Sequence, residues 1–361
     1  PAAADRLYVE LPLNIGKEVS ENLVIMPIAF EGRTGTFASD EQMAELIRRT
    51  LPGEKVAVTT QPAITTASLT RANALLVNDG VYTFSYQRML DALNEVENSC
   101  FSLNASFAQV ADATKCAAAF PSNIRFIDDR NGGSTLINGL AYVGGLSLIS
   151  ESFTDTDNAS VNGSYGSAWL VPNATVFIHE FSHVNTLDHA NCGGAGGIDA
   201  SLYADGTLGD GGGYDVGRNF YFSGPAGGFF DLMSYCGDKV WTSDKGYQKI
   251  TNYKNAVAPA ARTTAARSAG AEDASAPNQK GIRLVRIGGV WKAHRVMIPT
   301  TVVDSIHAKD GSYISSALKG LPIKTLNSDL GQNLNGPFFI PANDQLISNL
   351  AKGLISGITL K

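Results

Sequence analysis

Three of the five histidines in this 361-residue chain lie close together, at His179, His183 and His189. Side chains four residues apart share one face of a helix, so His179 and His183 can bind the same metal ion. His189 is six residues further on, about 9 Å along a continuous helix and on a different side. If the three histidines act together, the helix must end soon after His183 and the chain must turn back.

Glu180 follows the first histidine of this motif. From that position its carboxylate can reach a water molecule activated by the metal without binding the metal itself. Zinc lowers the pKa of such a water to about 7 and polarises a carbonyl group, so Glu180 would take the proton and return it to the leaving amine. An HExxH pattern alone also fits an ordinary buried helix, but chance rarely adds a third histidine at this spacing.

The chain before the motif alternates between strand-like and helix-like patterns. Strands are predicted over 23–30, 55–60, 123–127 and 139–149, and helices over 39–50 and 86–98. The glycine pair inside 139–149 indicates a bulge. The motif itself is expected on a mostly apolar helix over 174–184, capped by Asn173. This order indicates an α/β fold with a mixed sheet of about four or five strands.

Residues 192–228 are rich in glycine and aspartate and show no periodicity, which predicts a long irregular segment. Its carboxylates offer oxygen ligands for Ca²⁺, although they fit a solvated loop as well. These residues are Asp199, Asp205, Asp210 and Asp215. A further helix is expected after Ser243, which is a good N-cap residue.

Composition divides the chain into parts that differ in expected structure. They are a lead segment (1–21), the domain that carries the motif (22–256), a linker (257–280) and a small, mainly β domain (281–361). The linker is rich in Ala, Ser and Pro and lacks large apolar residues. The last part contains strand-like runs at 282–286 and 291–301 and a helix-like stretch at 344–352.

The chain has 4 cysteines and no CxxC spacing, which indicates disulfide bonds rather than a zinc ribbon. Among the possible connectivities, Cys100–Cys116 and Cys192–Cys236 are favoured. In a cytosolic protein all of these cysteines would instead be reduced thiols. The low content of charged residues and the start at Pro1 indicate a secreted, extracellular protein whose leader has been removed.

Charge and hydropathy restrict the partners of the chain. The formal net charge is -6 and no cluster of Lys and Arg is present, so a nucleic acid is not expected as a partner. No apolar run approaches the roughly 18 residues that cross a bilayer, so no transmembrane segment is expected.

The histidine motif resembles the signature of the metzincin clan of zinc metallopeptidases, HExxHxxGxxH followed by a methionine-containing turn. The segment 231–235, DLMSY, looks like that turn. The resemblance covers about residues 22–256. It implies a metzincin-like catalytic domain of α/β (α+β) class, with a mixed twisted sheet and an active-site helix. Residues 233–244 are also similar to large secreted bacterial StcE-like proteases, which act on mucin-type glycoproteins.

The resemblance also implies a role for each residue of the site. Zinc would be bound by the three histidines of the motif, His179, His183 and His189, with Glu180 as general base and acid. Met233 would lie beneath the metal, and Tyr235 would either bind it or stabilise the oxyanion. Taken as residues alone, Met233 and Tyr235 also fit core positions.

The motif departs from the clan at Thr186, which stands where the signature has glycine, and at Ala190 after the last histidine. Glycine accepts the positive φ that the turn requires, whereas a β-branched threonine does so at a cost. Asn185 tolerates the left-handed conformation well, so the turn is predicted to involve Asn185. If His189 does not reach the metal, Asp188 is the substitute third ligand.

These patterns together suggest a secreted zinc-dependent endopeptidase that hydrolyses proteins or glycoproteins. An extended substrate is expected to pair with the edge strand predicted over 139–149. The alternative is a proteolytically inactive, zinc-containing binding protein that recognises a glycan or a protein.

Overall fold

The computed structural model describes residues 19–103, 114–130, 132–154, 172–215, 220–222, 224, 227–237 and 239–257, and four strands beyond residue 277. The helices are α1 (Asp40–Thr50), α2 (Tyr86–Leu103), α3 (Pro172–Val184) and α4 (Asp244–Val257), with a 3-10 turn at Arg71–Asn73. The strands up to residue 151 are β1 (Ser20–Pro27), β2 (Ala29–Phe30), β3 (Arg33–Thr34), β4 (Lys55–Thr60), β5 (Leu76–Asn78), β6 (Val81–Ser85), β7 (Lys115–Phe120), β8 (Ile124–Asp128), β9 (Thr135–Ile137), β10 (Gly139–Ala141) and β11 (Ser147–Glu151). The later strands are β12 (Gly213–Asp215), β13 (Phe220–Phe222), β14 (Phe230–Asp231), β15 (Val240–Trp241), β16 (Asn278–Ile287), β17 (Val290–Pro299), β18 (Lys324–Thr325) and β19 (Phe338–Pro341).

The main sheet has five strands in the order β10-β11-β7-β1-β4. β11, β7, β1 and β4 are parallel, whereas β10 runs antiparallel to β11 at the edge. The central strand β7, with the sequence KCAAAF, is buried along its whole length. Parallel strands covered on both faces read as continuous apolar runs, as residues 116–120 of this strand do. The fold is therefore a mixed α/β sheet whose one antiparallel strand lies at the edge.

Helices cover both faces of this sheet. Along β1, Leu23 and Ile25 belong to one buried core with α1 and α3, while Val24 and Met26 belong to a second core with α2. Successive side chains of a strand point to opposite faces, so β1 contributes to both cores. A second sheet, of order β5-β6-β8-β9, lies beside the second core. Only Asn138 separates β9 from β10, so the chain passes directly from this sheet to the edge of the main one.

Most of the elements predicted before the motif are found in the structure. The strand predicted over 23–30 is divided into β1 and β2, and the strand predicted over 123–127 lies in the second sheet as β8. Residues 139–149 are not a single strand but the antiparallel pair β10 and β11, in which Gly139 opposes Ser150 and Ala141 opposes Leu148. The N–H of Gly145 donates to Tyr142 O at 2.8 Å, and Gly144 has a φ of 66°. The glycine pair therefore forms the turn between two strands, a conformation that glycine adopts readily, and the predicted bulge is wrong.

The helix that carries the motif begins at Pro172, and Asn173 does not cap it. The Asn173 side-chain amide instead donates to Ser152 O at 2.8 Å, which ties the start of α3 to the end of β11. Proline suits the first helical position because its φ is already fixed near the helical value. At α4 the predicted cap is confirmed, because Ser243 Oγ accepts the N–H of Gly246 at 3.1 Å.

The segment predicted to be irregular, 192–228, is largely so where it is described, but it contains the short antiparallel pair β12 and β13. Beyond it, β16 and β17 form a hairpin that covers the predicted strand 282–286 and most of 291–301, and the order of this sheet is β17-β16-β19-β18. Most of the predicted linker, the helix at 344–352 and residues 1–18 lie outside the described residues. A separate C-terminal β domain therefore stays a prediction.

Both cysteine pairs that the sequence favoured lie at disulfide distance. The Sγ atoms are 2.09 Å apart in Cys100–Cys116, which joins α2 to β7, and 2.05 Å apart in Cys192–Cys236. In the described part of the chain, no helix combines the length and the apolar character needed to cross a membrane.

Candidate metal centre

The helix α3, PNATVFIHEFSHV, holds two of the histidines in the interior of the protein. Its apolar side chains, among them Phe177, Phe181 and Val184, are fully buried in the core beneath the main sheet. Burial of these residues fixes the helix, so its other face presents His179 and His183 at a constant position. Both histidines are themselves buried, with 8% and 0% of their surface exposed.

Each of the three histidine rings is oriented by a backbone carbonyl. Nδ1 of His179 lies 2.9 Å from Leu232 O, and Nδ1 of His183 lies 2.6 Å from Leu187 O. Nδ1 of His189 contacts Gly196 O in the same way. A carbonyl oxygen can only accept, so each Nδ1 carries a proton, and in the neutral ring Nε2 then has the lone pair. This is the tautomer that binds a metal through Nε2, with the other nitrogen held by a neighbour.

The lone pairs of the three rings converge. Nε2 of His183 and Nε2 of His189 are 3.2 Å apart, and the ligand nitrogens of all three rings lie within 4.8 Å of one another. Lone pairs at this distance repel each other unless a cation lies between them. Two nitrogens bound to a tetrahedral zinc at about 2.0–2.1 Å would be roughly 3.3 Å apart, so the spacing of His183 and His189 fits such an ion. The buried cluster of His179, His183 and His189 can therefore bind a metal ion.

In the turn that brings His189 back, the residue with the left-handed conformation is Thr186, not Asn185. Thr186 has a φ of 78°, in the left-handed region. Its N–H donates to His183 O at 2.9 Å, and the next N–H, of Leu187, donates to Ser182 O at 3.1 Å. These are the two hydrogen bonds of a Schellman motif, in which the residue with positive φ follows the C-cap. Thr186 occupies that position, so the geometry of the helix end overrides its conformational preference.

Asn185 keeps the helix end closed in a different way. Its backbone N–H bonds to Phe181 O and Ser182 O, and its side-chain amide donates to Phe181 O at 3.1 Å. The predicted left-handed conformation therefore belongs to the next residue. Because the chain turns back after Thr186, His189 is the third member of the cluster. Asp188, the predicted substitute ligand, is not part of it.

The loop after the turn holds His189 from its backbone as well as from its ring. The N–H of His189 donates to Gly197 O at 3.2 Å, and its carbonyl accepts the N–H of Asp199 at 2.8 Å. With the ring bonded to Gly196 O, the loop 196–199 fixes His189 on both sides. Sequence spacing alone gives no sign of this loop, because its residues contact His189 only through backbone atoms.

The segment 231–235 lies directly against the cluster. Leu232 O orients His179, and Met233 O accepts the N–H of Ala190 at 2.9 Å. The side chain of Met233 is fully buried in the core next to α3. Asp231 Oδ1 accepts the N–H of Met233 at 2.8 Å, and burial raises the pKa of the Asp231 carboxyl. The segment 231–235 therefore supports the cluster through main-chain hydrogen bonds.

Tyr235 reaches the open side of the cluster. Its hydroxyl lies 3.0 Å from Nε2 of His189, while 43% of the residue is exposed. The N–H of Tyr235 donates to Cys192 O at 3.3 Å, and the Cys192–Cys236 disulfide joins the same two segments. A hydroxyl group thus stands at the point where the buried histidines meet solvent.

Glu180 is buried beside the edge strand β10, with 2% of its surface exposed. A Cβ atom at Gly139 would lie 2.7 Å from Cγ and Oε1 of Glu180 and 2.7 Å from Cγ1 of Val176. Only glycine at position 139 leaves room for the carboxylate. The sequence does not single out Gly139 as a site residue, although a glycine inside a strand is a known sign of close approach.

Three of the four acidic residues predicted as possible Ca²⁺ ligands are bonded to protein groups. Asp199 accepts from Ser201 and Lys249, Asp205 from Thr207, and Asp215 forms an ion pair with Arg49 at 2.6 Å. Within the described ranges, the histidine cluster is the one group of three or more metal-binding side chains. The structure therefore supports a three-histidine metal site, and among the described residues of the loop it forms no comparable group of carboxylates.

The geometry at His179, His183 and His189 agrees with the spacing that carries the metzincin resemblance. Comparison with known protein families and with curated proteins found no match to this chain, so the resemblance rests on this cluster, which is compatible with a zinc site.

Proposed function

We propose that the protein is a zinc-dependent endopeptidase of metzincin type. The observation that carries the proposal is the set of three buried imidazoles, each with Nδ1 bonded to a carbonyl and with ligand nitrogens within 4.8 Å of one another. Neutral imidazole nitrogens in a tetrahedral arrangement are typical zinc ligands. Three protein ligands leave a fourth position for water or substrate, which is the composition of a catalytic rather than a structural site.

In this proposal Glu180 is the general base and acid. A zinc ion in such a site acts as a Lewis acid and lowers the pKa of water to about 7. Glu180 lies one residue after His179 and is held against Gly139, so its carboxylate has a fixed position beside the cluster. It accepts the proton of the attacking water and delivers it to the leaving amine.

Tyr235 stabilises the negative charge that develops on the carbonyl oxygen. Its hydroxyl lies beside Nε2 of His189 at the exposed side of the cluster, where a substrate would enter. A phenol O–H can donate a hydrogen bond to an oxyanion, and donors already in position are effective because they need no reorganisation during the reaction.

The substrate is an extended polypeptide that pairs with β10. β10 is the edge strand of the main sheet and passes Glu180 at Gly139. An unpaired edge binds an extended chain through main-chain hydrogen bonds, with little demand on its side chains. Two cysteine pairs at disulfide distance are in keeping with an extracellular protein that acts on proteins or glycoproteins.

The test is the variant Glu180→Gln together with metal analysis. Glutamine keeps the shape of the side chain but cannot take a proton, so kcat on a panel of proteins and glycoproteins should fall by about 100-fold or more. Zinc content should stay at one ion per chain, and a chelator should abolish cleavage by the wild type. As a control, Glu41→Gln, at an exposed position of α1, should leave both quantities unchanged.

Two outcomes would contradict the proposal. A chain without zinc would remove the metal site altogether. A zinc-loaded wild type that cleaves no member of the panel would instead support the zinc-containing binding protein.

A further inference from the structure

A cavity of about 270 Å³ opens next to the start of β10. It lies beyond the carboxyl ends of the parallel strands β7 and β11, where the second sheet meets the main one. Crevices at this end of parallel strands are the usual ligand sites of α/β sheets. Its walls combine apolar side chains with a few polar ones, which are Ser122, Arg125, Asn138, Glu151, Ser152 and Asn173.

Glu151 is the acidic group of this cavity. It is the last residue of β11, and its backbone N–H bonds to Asn138 O at 2.9 Å, which holds it beside the entrance to β10. Its side chain is half-buried, and burial raises the pKa of the Glu151 carboxyl to about 7. Within the described part of the chain, no hydrogen-bond donor or cation lies on this carboxylate, and exposed Arg125 is not within ion-pair distance of it.

The edge strand leads from the candidate metal centre to this cavity. Gly139 contacts Glu180, and Asn138, the preceding residue, lines the cavity. A substrate that runs antiparallel to β10 passes Ala141 first and Asn138 last. Each residue advances about 3.4 Å, so a side chain within roughly three residues after the cleaved bond reaches Glu151.

We propose that the Glu151 cavity is a substrate subsite that takes a lysine or arginine side chain from the C-terminal side of the cleaved bond. This inference rests on the proposed peptidase function. The long apolar stem of either residue fits the apolar walls, and its charged end meets the Glu151 carboxylate. A carboxylate that has lost part of its hydration gains most from a cationic donor, and arginine can bind it through two hydrogen bonds.

The test is a series of peptides with one cleavable bond. Lysine, arginine, norleucine or glutamate is placed in turn at each of the three positions after that bond, and kcat/KM is measured for the wild type, Glu151→Gln and Glu41→Gln. At one position, lysine and arginine should raise kcat/KM about tenfold over norleucine. Glu151→Gln should lose this preference while cleaving the norleucine peptide at the wild-type rate. Glu41→Gln, with its changed residue exposed on α1, should keep the preference.

The result that would overturn the subsite is a wild type without a cationic preference at any of these positions, or a Glu151→Gln variant that keeps the preference. Either result leaves the peptidase proposal intact. If no peptide is cleaved, the peptidase proposal fails, and the role of the Glu151 cavity is tested by peptide binding instead. Binding of the lysine and norleucine peptides is then measured for Glu180→Gln and for the double variant with Glu151→Gln. A preference for lysine that depends on Glu151 supports the cavity as a binding site for a cationic side chain, and equal binding of both peptides overturns it.

Discussion

The histidine motif has two halves, His179 with His183 and the later His189, and they are positioned by different kinds of interaction. His179 and His183 are brought together by the helix itself, since residues four apart always share a face. His189 reaches the same point only through the left-handed Thr186, the loop 196–199 and the segment 231–235. The first half is therefore a local structure, whereas the second half exists only in the folded protein. In such a candidate site, the helix alone positions two of the histidines, whereas the position of the third depends on the tertiary structure.

The largest effects are expected from removing a ligand in either half. His183→Ala and His189→Ala should each lower zinc affinity by more than the roughly 100-fold that the loss of a ligand's hydrogen-bond partner can cost. Competition with a chelator of known affinity measures this, with His294→Ala on β17 as a control that should bind zinc normally. Normal zinc binding by His189→Ala would show that the second half is not part of the site.

Replacing each disulfide in turn distinguishes support of His189 from the general stability of the protein. Cys192–Cys236 closes a loop of 44 residues and Cys100–Cys116 one of 16, so replacing each pair by serine should lower the free energy of unfolding by about 4 and 3 kcal/mol. Only the loss of Cys192–Cys236 should also weaken zinc binding, because it joins the segments that hold His189 and Tyr235. Denaturant unfolding and chelator competition on both double variants measure these quantities. An equal loss of zinc affinity in the two variants would contradict a specific role.

Gly139→Ala tests whether the position of Glu180 depends on the edge strand. The new methyl group would lie 2.7 Å from Oε1 of Glu180, so the carboxylate must move. Displacement of a catalytic group by about 1 Å can reduce kcat by about 100-fold, while the histidines and the zinc content should be unaffected. Gly246→Ala on α4, where the nearest atoms are 3.4 Å from the new Cβ, is the matched control and should keep full activity.

The smallest effects distinguish Thr186 from Asn185. Thr186→Gly relieves the left-handed strain of about 1–2 kcal/mol but loses a buried methyl group and adds freedom to the unfolded chain. Its free energy of unfolding should therefore change by less than about 1 kcal/mol. Asn185→Gly gains nothing from its backbone and loses the bond to Phe181 O, so it should be destabilised by about 1–2 kcal/mol. Both free energies are measured by denaturant unfolding. A larger loss of stability in Thr186→Gly than in Asn185→Gly would indicate that Asn185 has the left-handed conformation.

Local rules account for the parts that could be predicted from the sequence. The strand at Lys55–Thr60 and the helix that begins at Tyr86 follow from side-chain periodicity, which depends only on neighbours along the chain. This helix was predicted over 86–98 and extends to Leu103. The hairpin of β10 and β11 was harder to predict, because a short apolar run with two glycines fits either one bulged strand or two paired strands. Only the main sheet, in which β11 pairs with β7 and β10 lies outside it, distinguishes the two.

By itself the sequence determined that a helix carries His179, Glu180 and His183, since their spacing and the apolar residues around them leave few other arrangements. The tertiary structure decided which residue turns the chain, which carbonyls orient the three rings, that Gly139 lies against Glu180, and that Glu151 lines a cavity next to β10. The physical reason is separation along the chain. Leu232 is 53 residues from His179, and contacts of this range depend on how whole elements pack rather than on any local pattern.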